Sequence, residues 1–204
     1  MTPLSSKDIV AAAKRAATAA RTLEAEINAA DSRLGDGDTG TMLVRLLAAV
    51  EIIEPAQEDL GTTFRAMAMA AAESTGSSLG TLISAGLLSV GGLLAYRSEV
   101  QIDEIAALLT TARDEMLLLG RSELGDKTIV DGIHAVANAV QTQTTRQGAS
   151  RAACDAADDV ILYFRGKPCR VGRARLWPER SMDLDDPGMA AFARIVKAVG
   201  MPAS

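Results

Sequence analysis

Hydrophobic residues recur every three or four positions along most of this chain, which is the spacing of amphipathic α-helices. The pattern predicts eight helices, with Ser6 capping the first and Asp126 capping the sixth. No segment between them alternates in the way that a half-buried strand would. We therefore predict an all-α fold, with helices over about residues 6–30, 39–53, 60–73, 77–96, 101–119, 126–144, 148–164 and 187–199.

The longest connection in this pattern, residues 166–186, is polar and long enough to predict a functional role. Basic side chains crowd around its Trp177, and a stacking platform for nucleic acid is one interpretation of them. Three acidic residues follow at once and would interrupt a basic surface, so we favour a loop that folds over a phosphate. The basic residues are Arg165, Lys167, Arg170, Arg173, Arg175 and Arg180, and the acidic ones are Asp183, Asp185 and Asp186.

Composition favours a single domain of closely packed helices over residues 1–204. Aromatic residues make up 3% of the chain, and the abundant small aliphatic residues suit helix packing better than a sheet surface. The net charge of -5 argues against general binding to nucleic acid or to an anionic membrane. Because no apolar run is long enough for a signal peptide or a membrane span, we expect a cytoplasmic protein.

The stretch DSRLGDGDTGT, residues 31–41, carries the strongest chemical signal. Its carboxylates Asp31, Asp36 and Asp38 repel one another unless a cation lies between them. Asp38 is predicted to cap the second helix, so the amides that follow it should point outward unpaired and form a phosphate site. Magnesium would then join the carboxylates to the phosphate. The amides in question are those of Thr39, Gly40, Thr41 and Met42.

Two other interpretations of this stretch are a calcium-binding loop and a turn that only caps a helix. A calcium EF-hand loop would need Asp or Asn at the position of Gly40 and Glu at the position of Leu47, so it is excluded. An Asp/Gly turn that only caps a helix stays open on spacing alone, since such turns are common.

Four motifs together resemble one family, the dihydroxyacetone kinase L subunit and the related nucleotide domain of single-chain dihydroxyacetone kinases. GDGDTG at 35–40, with Asp31 five residues before Asp36, resembles the family signature. GDKTIVD at 125–131 and GRARLWPERSMDLDDPG at 172–188 resemble its GDKTMLD and GRASYLGERS…DPG motifs. STGSS at 74–78 resembles its GGTSG loop less closely. The four occur in the family's order and cover nearly the whole chain.

The resemblance implies an antiparallel barrel of eight helices that holds ADP or ATP at one mouth through two magnesium ions. Asp31, Asp36 and Asp38 would bind the metal ions, and with Arg173 they would form the catalytic group. Leu79 replaces a family glycine, which leaves open whether Ser77 or Ser78 contacts the phosphate. The nucleotide contacts implied are Thr39, Gly40, Thr41, Met42, Ser77, Ser78, Gly120, Thr128, Ile129, Arg173, Asp186, Pro187 and Gly188.

Three functions follow from the resemblance. The chain is expected to pass phosphate from ATP to a short ketose bound on a separate K-type subunit, because 204 residues leave no room for the substrate domain. Alternatively, a phosphohistidine carrier subunit recharges a permanently bound ADP, or the chain senses nucleotide without catalysis. Phosphotransferase-dependent members usually have His at the position of Thr39, so Thr39 favours ATP.

Two further polar residues, His134 and Lys127, have no place in these motifs that fixes their role. His134, the only histidine, lies in the middle of a predicted helix and is interpreted as structural. Lys127 lies beside Asp126 at the start of the sixth helix, where it could contact phosphate or be solvated.

Overall fold

The apolar stripes fold into long helices in the computed structural model, which describes residues 3–200. Successive long helices are joined by connections of 3 to 11 residues, except for the long loop that precedes the last helix. None of the helices among these residues is long and apolar enough to cross a membrane. Their bounds are α1 Ser6–Asp31, α2 Thr39–Glu51, α3 Leu60–Ser74, α4 Ser78–Leu93, α5 Ile105–Gly120, α6 Ile129–Val140, α7 Arg146–Phe164, α8 Pro178–Met182 and α9 Pro187–Gly200.

Eight of these helices form a closed ring, and the five-residue α8 lies within the long loop. Each long helix packs against the next along the chain, and α9 packs against both α7 and α1, which closes the ring. Glycine permits a close approach between neighbouring helices: a Cβ on Gly61 of α3 would lie 2.7 Å from the backbone nitrogen of Ala95. The predicted all-α fold and eight-helix barrel are confirmed.

The interior of the ring is filled by aliphatic side chains from neighbouring helices. The largest cluster joins α1, α2, α3 and α9 and consists of Val10, Ile27, Met42, Leu43, Leu46, Val50, Met67, Ala71 and Ala191. A second cluster joins α6, α7 and α9 to the start of α5, and it contains Ile102, Ala106, Val136, Val140, Ala149, Ala157 and Ala193. The small side chains of α9 let it lie close to four other helices.

Two predicted caps are one or two residues off. Ser5, rather than Ser6, caps α1, because its amide and hydroxyl both donate to Asp8 at 2.9 and 2.7 Å. The hydroxyl of Ser6 instead donates to the carbonyl of Ala56. Thr128, rather than Asp126, caps α6, and its Oγ1 accepts the amide of Val130 at 3.1 Å. The carboxylate of Asp126 accepts the amide of Glu123 in the preceding turn.

A short antiparallel pair of strands also departs from the prediction. β1, Leu4–Ser5, pairs with β2, Glu99–Val100, so that Leu4 lies opposite Val100. Two residues are too few to display the alternation from which a strand is recognised. The pair ties the start of α1 to the turn before α5.

Replacing Leu46 by Ala should destabilise the barrel. Leu46 is 1% exposed in the largest cluster, so its loss leaves a cavity and costs about 2–5 kcal/mol of unfolding free energy. Ile52, which is 73% exposed just beyond the same helix, is the matched control, and Ile52→Ala should change the stability by less than about 0.5 kcal/mol. Urea unfolding followed by circular dichroism measures both. Equal losses would contradict this assignment of the core.

Candidate functional site: a cleft with three aspartates

A cleft of about 1130 Å³ opens at one end of the ring. The starts of four helices, α2, α4, α6 and α9, line it, together with the ends of α1 and α5. Successive helices in an antiparallel ring alternate in direction, so every second helix begins at the same end. Because a helix start carries partial positive charge, the four together make this mouth attractive to an anion. The turn at 171–176 of the long loop covers one side.

Nearly all of the residues predicted for the site line this one cleft. They are Asp31, Asp36, Asp38, Thr39, Thr41, Met42, Ser77, Ser78, Gly120, Thr128, Ile129, Arg173, Asp186, Pro187 and Gly188. Gly40 is the exception. It is buried against α1, where a Cβ would lie 2.7 Å from Asn28 Oδ1. Gly40 therefore permits close packing of two helices and is not among the residues that line the cleft.

Asp31 organises the aspartate loop from the end of α1. It is 7% exposed, and its Oδ2 accepts the amides of Gly37 and Asp38 at 3.0 Å and of Thr39 at 3.2 Å. Within residues 3–200 no hydrogen bond uses its Oδ1, and a Cβ on Gly35 would collide with that atom. One oxygen of Asp31 thus holds the loop, and the other stays available to a ligand.

The three carboxylates are close enough to share a cation. Each offers an oxygen, and these atoms lie within 4.8 Å of one another. Arg173 forms an ion pair with Asp36 and lowers the pKa of that carboxyl. Burial and the neighbouring charge of Asp36 raise the pKa of Asp38. A single arginine therefore leaves negative charge uncompensated, and a set of three hard oxygen donors fits Mg²⁺.

The amides at the start of α2 are paired, contrary to the prediction. Oδ1 of Asn28 accepts the amides of Gly40 and Thr41 at 2.7 and 3.1 Å. The amide of Thr39 binds Asp31, and that of Met42 donates to the carbonyl of Asp38 at 2.8 Å. The prediction of an open phosphate site here is wrong, because side chains of α1 cap α2.

Asn28 is a positioning residue that sequence reasoning missed. Besides capping α2, its Nδ2 donates to the hydroxyl of Thr41 at 2.9 Å, and that hydroxyl donates to Glu24 at 2.8 Å. Thr41 therefore has no free hydroxyl for a phosphate. A signal was present in the sequence, since Asn28 lies one helical turn before Asp31 and so on the same face of α1.

Free backbone donors are found instead at the start of α4. Ser77 caps this helix, and its Oγ accepts the amide of Gly80 at 2.9 Å. Within the described part of the chain, the amides of Ser78 and Leu79 meet no acceptor, and both residues line the cleft. The hydroxyl of Ser78 has no hydrogen-bond partner among the same residues. Two amides and one hydroxyl thus face the cleft at one helix start.

The side of the cleft away from the aspartates is apolar. A Cβ on Gly120 would lie 3.4 Å from a methyl of Leu82, and one on Gly188 would lie 3.7 Å from a methyl of Leu79 and 3.8 Å from Cβ of Ile129, with Asp186 Oδ1 at 3.3 Å as the polar edge. Absence of side chains at these two glycines leaves a slot between aliphatic walls. Such a slot suits a flat, mostly apolar ring, while the aspartate side suits a charged group. The walls also include Leu79, Leu119 and Val130.

Arg45 is a second cation that sequence reasoning did not identify. It lies one turn beyond Thr41 on α2 and lines the cleft. Its side chain is exposed, and it forms no ion pair with any residue between 3 and 200. In the sequence it reads as part of the solvated face of α2, because nothing local shows which face borders the cleft.

Two other residues lie outside the cleft. Nδ1 of His134 is 2.8 Å from an Arg113 guanidinium nitrogen, and its Nε2 is 3.1 Å from the Asn138 amide. These contacts agree with a structural histidine. Lys127 reaches neither phosphate nor solvent, as it is 1% exposed and turned away from the cleft. Both alternatives offered for Lys127 are wrong, because its ammonium points into the base of the long loop.

Comparison with known proteins places these residues in a family. A family model described as the DAK2 domain matches residues 33–201. The L-erythrulose 1-kinase of Mycolicibacterium smegmatis is 31% identical over 187 residues, which cover 87% of this chain and 32% of that protein. The ADP-binding subunit DhaL of the PEP-dependent dihydroxyacetone kinase of Escherichia coli is 24% identical over 180 residues, which cover 85% of each chain.

A solved structure matches over nearly the whole chain. The dihydroxyacetone kinase of C. freundii in complex with AMP-PNP and Mg²⁺ aligns with a TM-score of 0.75 and 22% identity. The alignment covers 98% of this chain and 34% of that one. At this identity the likeness shows a shared fold. The chain spans about a third of the length of the first curated relatives that it matches.

Removing the Asn28 cap should loosen the aspartate loop. Asn28→Ala deletes the acceptor for two amides at the start of α2, and we expect it to lower the unfolding free energy by about 1–2 kcal/mol. Asn138→Ala is the matched control, because Asn138 is exposed and its side chain hydrogen-bonds only His134 among residues 3–200; it should cost less than about 0.5 kcal/mol. Thermal unfolding compares them. Equal shifts would argue against the capping role.

The carboxyl of Asp186 gives a pH signature. Burial raises its pKa to about 6, although the amide of Met189 and the charge of Lys127 oppose the rise. The unfolded chain ionises this group near 3.8, so between about pH 4 and 6 it loses the proton that the folded chain keeps. The unfolding free energy should therefore fall across this window as the pH rises.

Asp186→Asn tests this assignment, because Asn can still accept the amide of Met189. The unfolding free energy of the wild type, relative to that of the variant, should fall between pH 4 and 6. Above pH 6 the difference between the two should stay constant. A constant difference in urea midpoints across this range would show that Asp186 titrates normally.

Proposed function

Since the chain belongs to the DAK2 domain family, we propose that it is a nucleotide-binding phosphotransfer domain, spanning residues 1–204, of a dihydroxyacetone-type kinase. It holds ADP or ATP through two magnesium ions and passes phosphate to a short ketose. The observation that carries the proposal is the position of three mutually close carboxylates at a mouth where four helices begin. That combination matches the phosphate tail of a nucleotide with its divalent cations.

In this proposal the two sides of the cleft divide the nucleotide between them. The adenine lies in the apolar slot beside Gly120 and Ile129, under the turn formed by Asp186, Pro187 and Gly188. Its phosphates extend towards the amides of Ser78 and Leu79, which are free of protein acceptors, and towards the hydroxyl of Ser78. Ser78 is favoured over Ser77 as the phosphate-contacting serine, because the Ser77 oxygen already caps α4.

Catalysis would act through position and charge. Asp31, Asp36 and Asp38 hold the metal ions, which orient the terminal phosphate and offset the charge that develops in transfer. Arg173, on the long loop, places a guanidinium beside the phosphate, where its planar donors suit the oxygens. Arg45 also lines the cleft and supplies a further positive group. No side chain of this cleft is proposed to form a covalent bond with phosphate.

A separate K-type subunit is proposed to bind the ketose. The cleft residues described here include no histidine, lysine or cysteine that could anchor a ketone covalently. Relatives named as erythrulose kinases and dihydroxyacetone kinase are about three times as long as the aligned region. Their remaining length is consistent with a substrate domain in those proteins. Either dihydroxyacetone or an erythrulose fits this proposal, since the partner would select the ketose.

ATP is the phosphate donor that we favour. Thr39 lines the cleft where phosphotransferase-dependent members usually have histidine. The alternative donor, a phosphohistidine carrier that recharges a bound ADP, is represented among the relatives by the PEP-dependent subunit of Escherichia coli. Exchange of radiolabelled ATP with the purified chain separates the two, because a permanently bound ADP would not exchange. A nucleotide-sensing module without catalysis is the third possibility, and it predicts binding with no turnover.

Replacing Asp36 by Asn should remove Mg-ADP binding while leaving the exposed loop folded. Asp36 is a proposed direct ligand, so the loss should exceed about 100-fold, the upper range for residues that only support a ligand. Asp155→Asn, an exposed carboxylate on α7, is the control and should bind as the wild type does. Isothermal titration with Mg-ADP measures affinity, and ATP turnover with a purified K-type subunit measures catalysis. Undiminished turnover by Asp36→Asn would refute the kinase site.

A further inference from the structure

Lys127 presents the most unusual buried group outside the cleft. It is the largest of the fully buried side chains, with 1% of its surface exposed. Its ammonium donates to three backbone carbonyls, those of Lys167 and Ser181 at 2.8 Å and that of Leu184 at 2.7 Å. All three protons of the ammonium are therefore used, and none of the acceptors is a carboxylate. The backbone of Lys127 also adopts a φ of 64°, which a side chain other than glycine rarely takes.

The three acceptors lie at the two ends of the long loop, and the last two belong to one turn at the end of α8. Lys167 begins the loop, Ser181 lies in α8, and Leu184 precedes the start of α9. A single cation thus joins segments that are 40, 54 and 57 residues away from it in the chain. A lysine on a helix start would otherwise extend into water, since burying an ammonium without a counter-charge is costly.

Two further hydrogen bonds hold together the base of the long loop, where residues 167–170 meet residues 181–184. The amide of Cys169 donates to the hydroxyl of Ser181 at 2.9 Å, and that of Arg170 donates to the carbonyl of Asp126 at 3.0 Å. Burial lowers the pKa of Lys127, and Cys169 and the acidic side chains at 185, 186 and 183 oppose this shift. The part of the loop that carries Arg173 leaves this base between Arg170 and Ser181 and reaches Asp36 at its far end.

We propose that Lys127 is a positioning residue: its buried ammonium closes the base of the loop over residues 167–184 and so holds Arg173 at the aspartate cluster. The closure itself is a property of the fold. Its effect on phosphate transfer rests on the proposed function, because it acts through Arg173. A neutral side chain of the same length would remove a donor from all three carbonyls and leave those of Lys167 and Leu184 with none, because the carbonyl of Ser181 still accepts the amide of Leu184. The loop would then open to let water reach them.

Lys127→Met tests the closure, with Lys14→Met, an exposed lysine on α1, as control. Trp177 is the only tryptophan of the chain and lies on the loop, so its fluorescence reports the loop alone. We expect a less polarised emission from Trp177, which is 57% exposed, because the opened loop moves more freely. Trypsin cleavage at Arg170, Arg173 or Arg175 should be faster by about tenfold or more, since each lost hydrogen bond changes an opening equilibrium by up to that factor. The helical circular dichroism and the control should match the wild type. An unchanged emission polarisation and cleavage rate would overturn the proposal.

Two measurements guard against a variant that does not fold. Lys127→Ala leaves room for a small cation, so added methylammonium should restore protection of the loop where sodium chloride does not. In the wild type, the Lys127 ammonium should give a slowly exchanging ¹⁵N–¹H signal in nuclear magnetic resonance spectra, because its protons are buried and bonded. Absence of that signal would overturn the proposal irrespective of how the variants behave.

A double-mutant cycle separates positioning of Arg173 from general stability. If Lys127 acts through Arg173, then Lys127→Met should lower the turnover number in the wild-type background and have no further effect in Arg173→Ala. Additive losses of turnover would refute the link. Fluorescence and proteolysis need no nucleotide, so they stand even if the Asp36→Asn result refutes the kinase site. Conversely, an intact Mg-ADP site with an unaffected loop would refute only the role of Lys127.

Discussion

Repulsion among Asp31, Asp36 and Asp38 is the constraint on which the arrangement of the cleft depends. Their oxygens lie within 4.8 Å of one another, so each negative charge must be compensated nearby or left to a ligand. The compensation that is present also builds the fold: backbone amides on Asp31 join the end of α1 to the start of α2, and Arg173 on Asp36 joins the long loop to both. Chemistry and architecture are thus served by the same contacts.

Closure of the ring supplies the complementary positive charge. Eight helices that alternate in direction place four starts at one end, and each start contributes partial positive charge without any charged side chain. The four starts are not equivalent, however. Side chains of α1 occupy the amides of α2, whereas those of Ser78 and Leu79 on α4 meet no acceptor among residues 3–200. The place for an anion is therefore set by which caps the neighbouring helices supply.

The sequence predicted the helices well because helical periodicity is a local property. Fifteen of the sixteen residues predicted for the site line the cleft, but those outside the aspartate loop were identified only through motifs that resemble a known family. Asn28 was missed because its role as a cap exists only when α1 lies against α2. Ser5 and Thr128 were missed as caps by one or two positions, since several polar residues precede each helix and tertiary contacts decide among them.

Lys127 is another residue whose tertiary contacts could not be predicted from the sequence. A charged residue between polar neighbours is normally solvated, and nothing within the motif at 125–131 reveals that a loop returns over it from residues 167–184. Its positive φ, seen in the structure, is a local sign of constraint, but the partners that satisfy its ammonium are all distant in the chain. Burial of a charge by backbone carbonyls is decided by topology, which residue types alone do not encode.

The ion pair between Arg173 and Asp36 links the long loop to the aspartate cluster. The carboxylate that Arg173 contacts is one of the three that would hold a metal ion, so on the proposed function cation and guanidinium compete for it. A cation at Asp36 releases a guanidinium that is 65% exposed, and moving it a short way towards a phosphate sacrifices little buried surface. The move is short only while the base of the loop stays closed. A rigid base with an exposed, rotatable arginine at its tip therefore suits a site that must neutralise aspartates in one state and phosphate in the other.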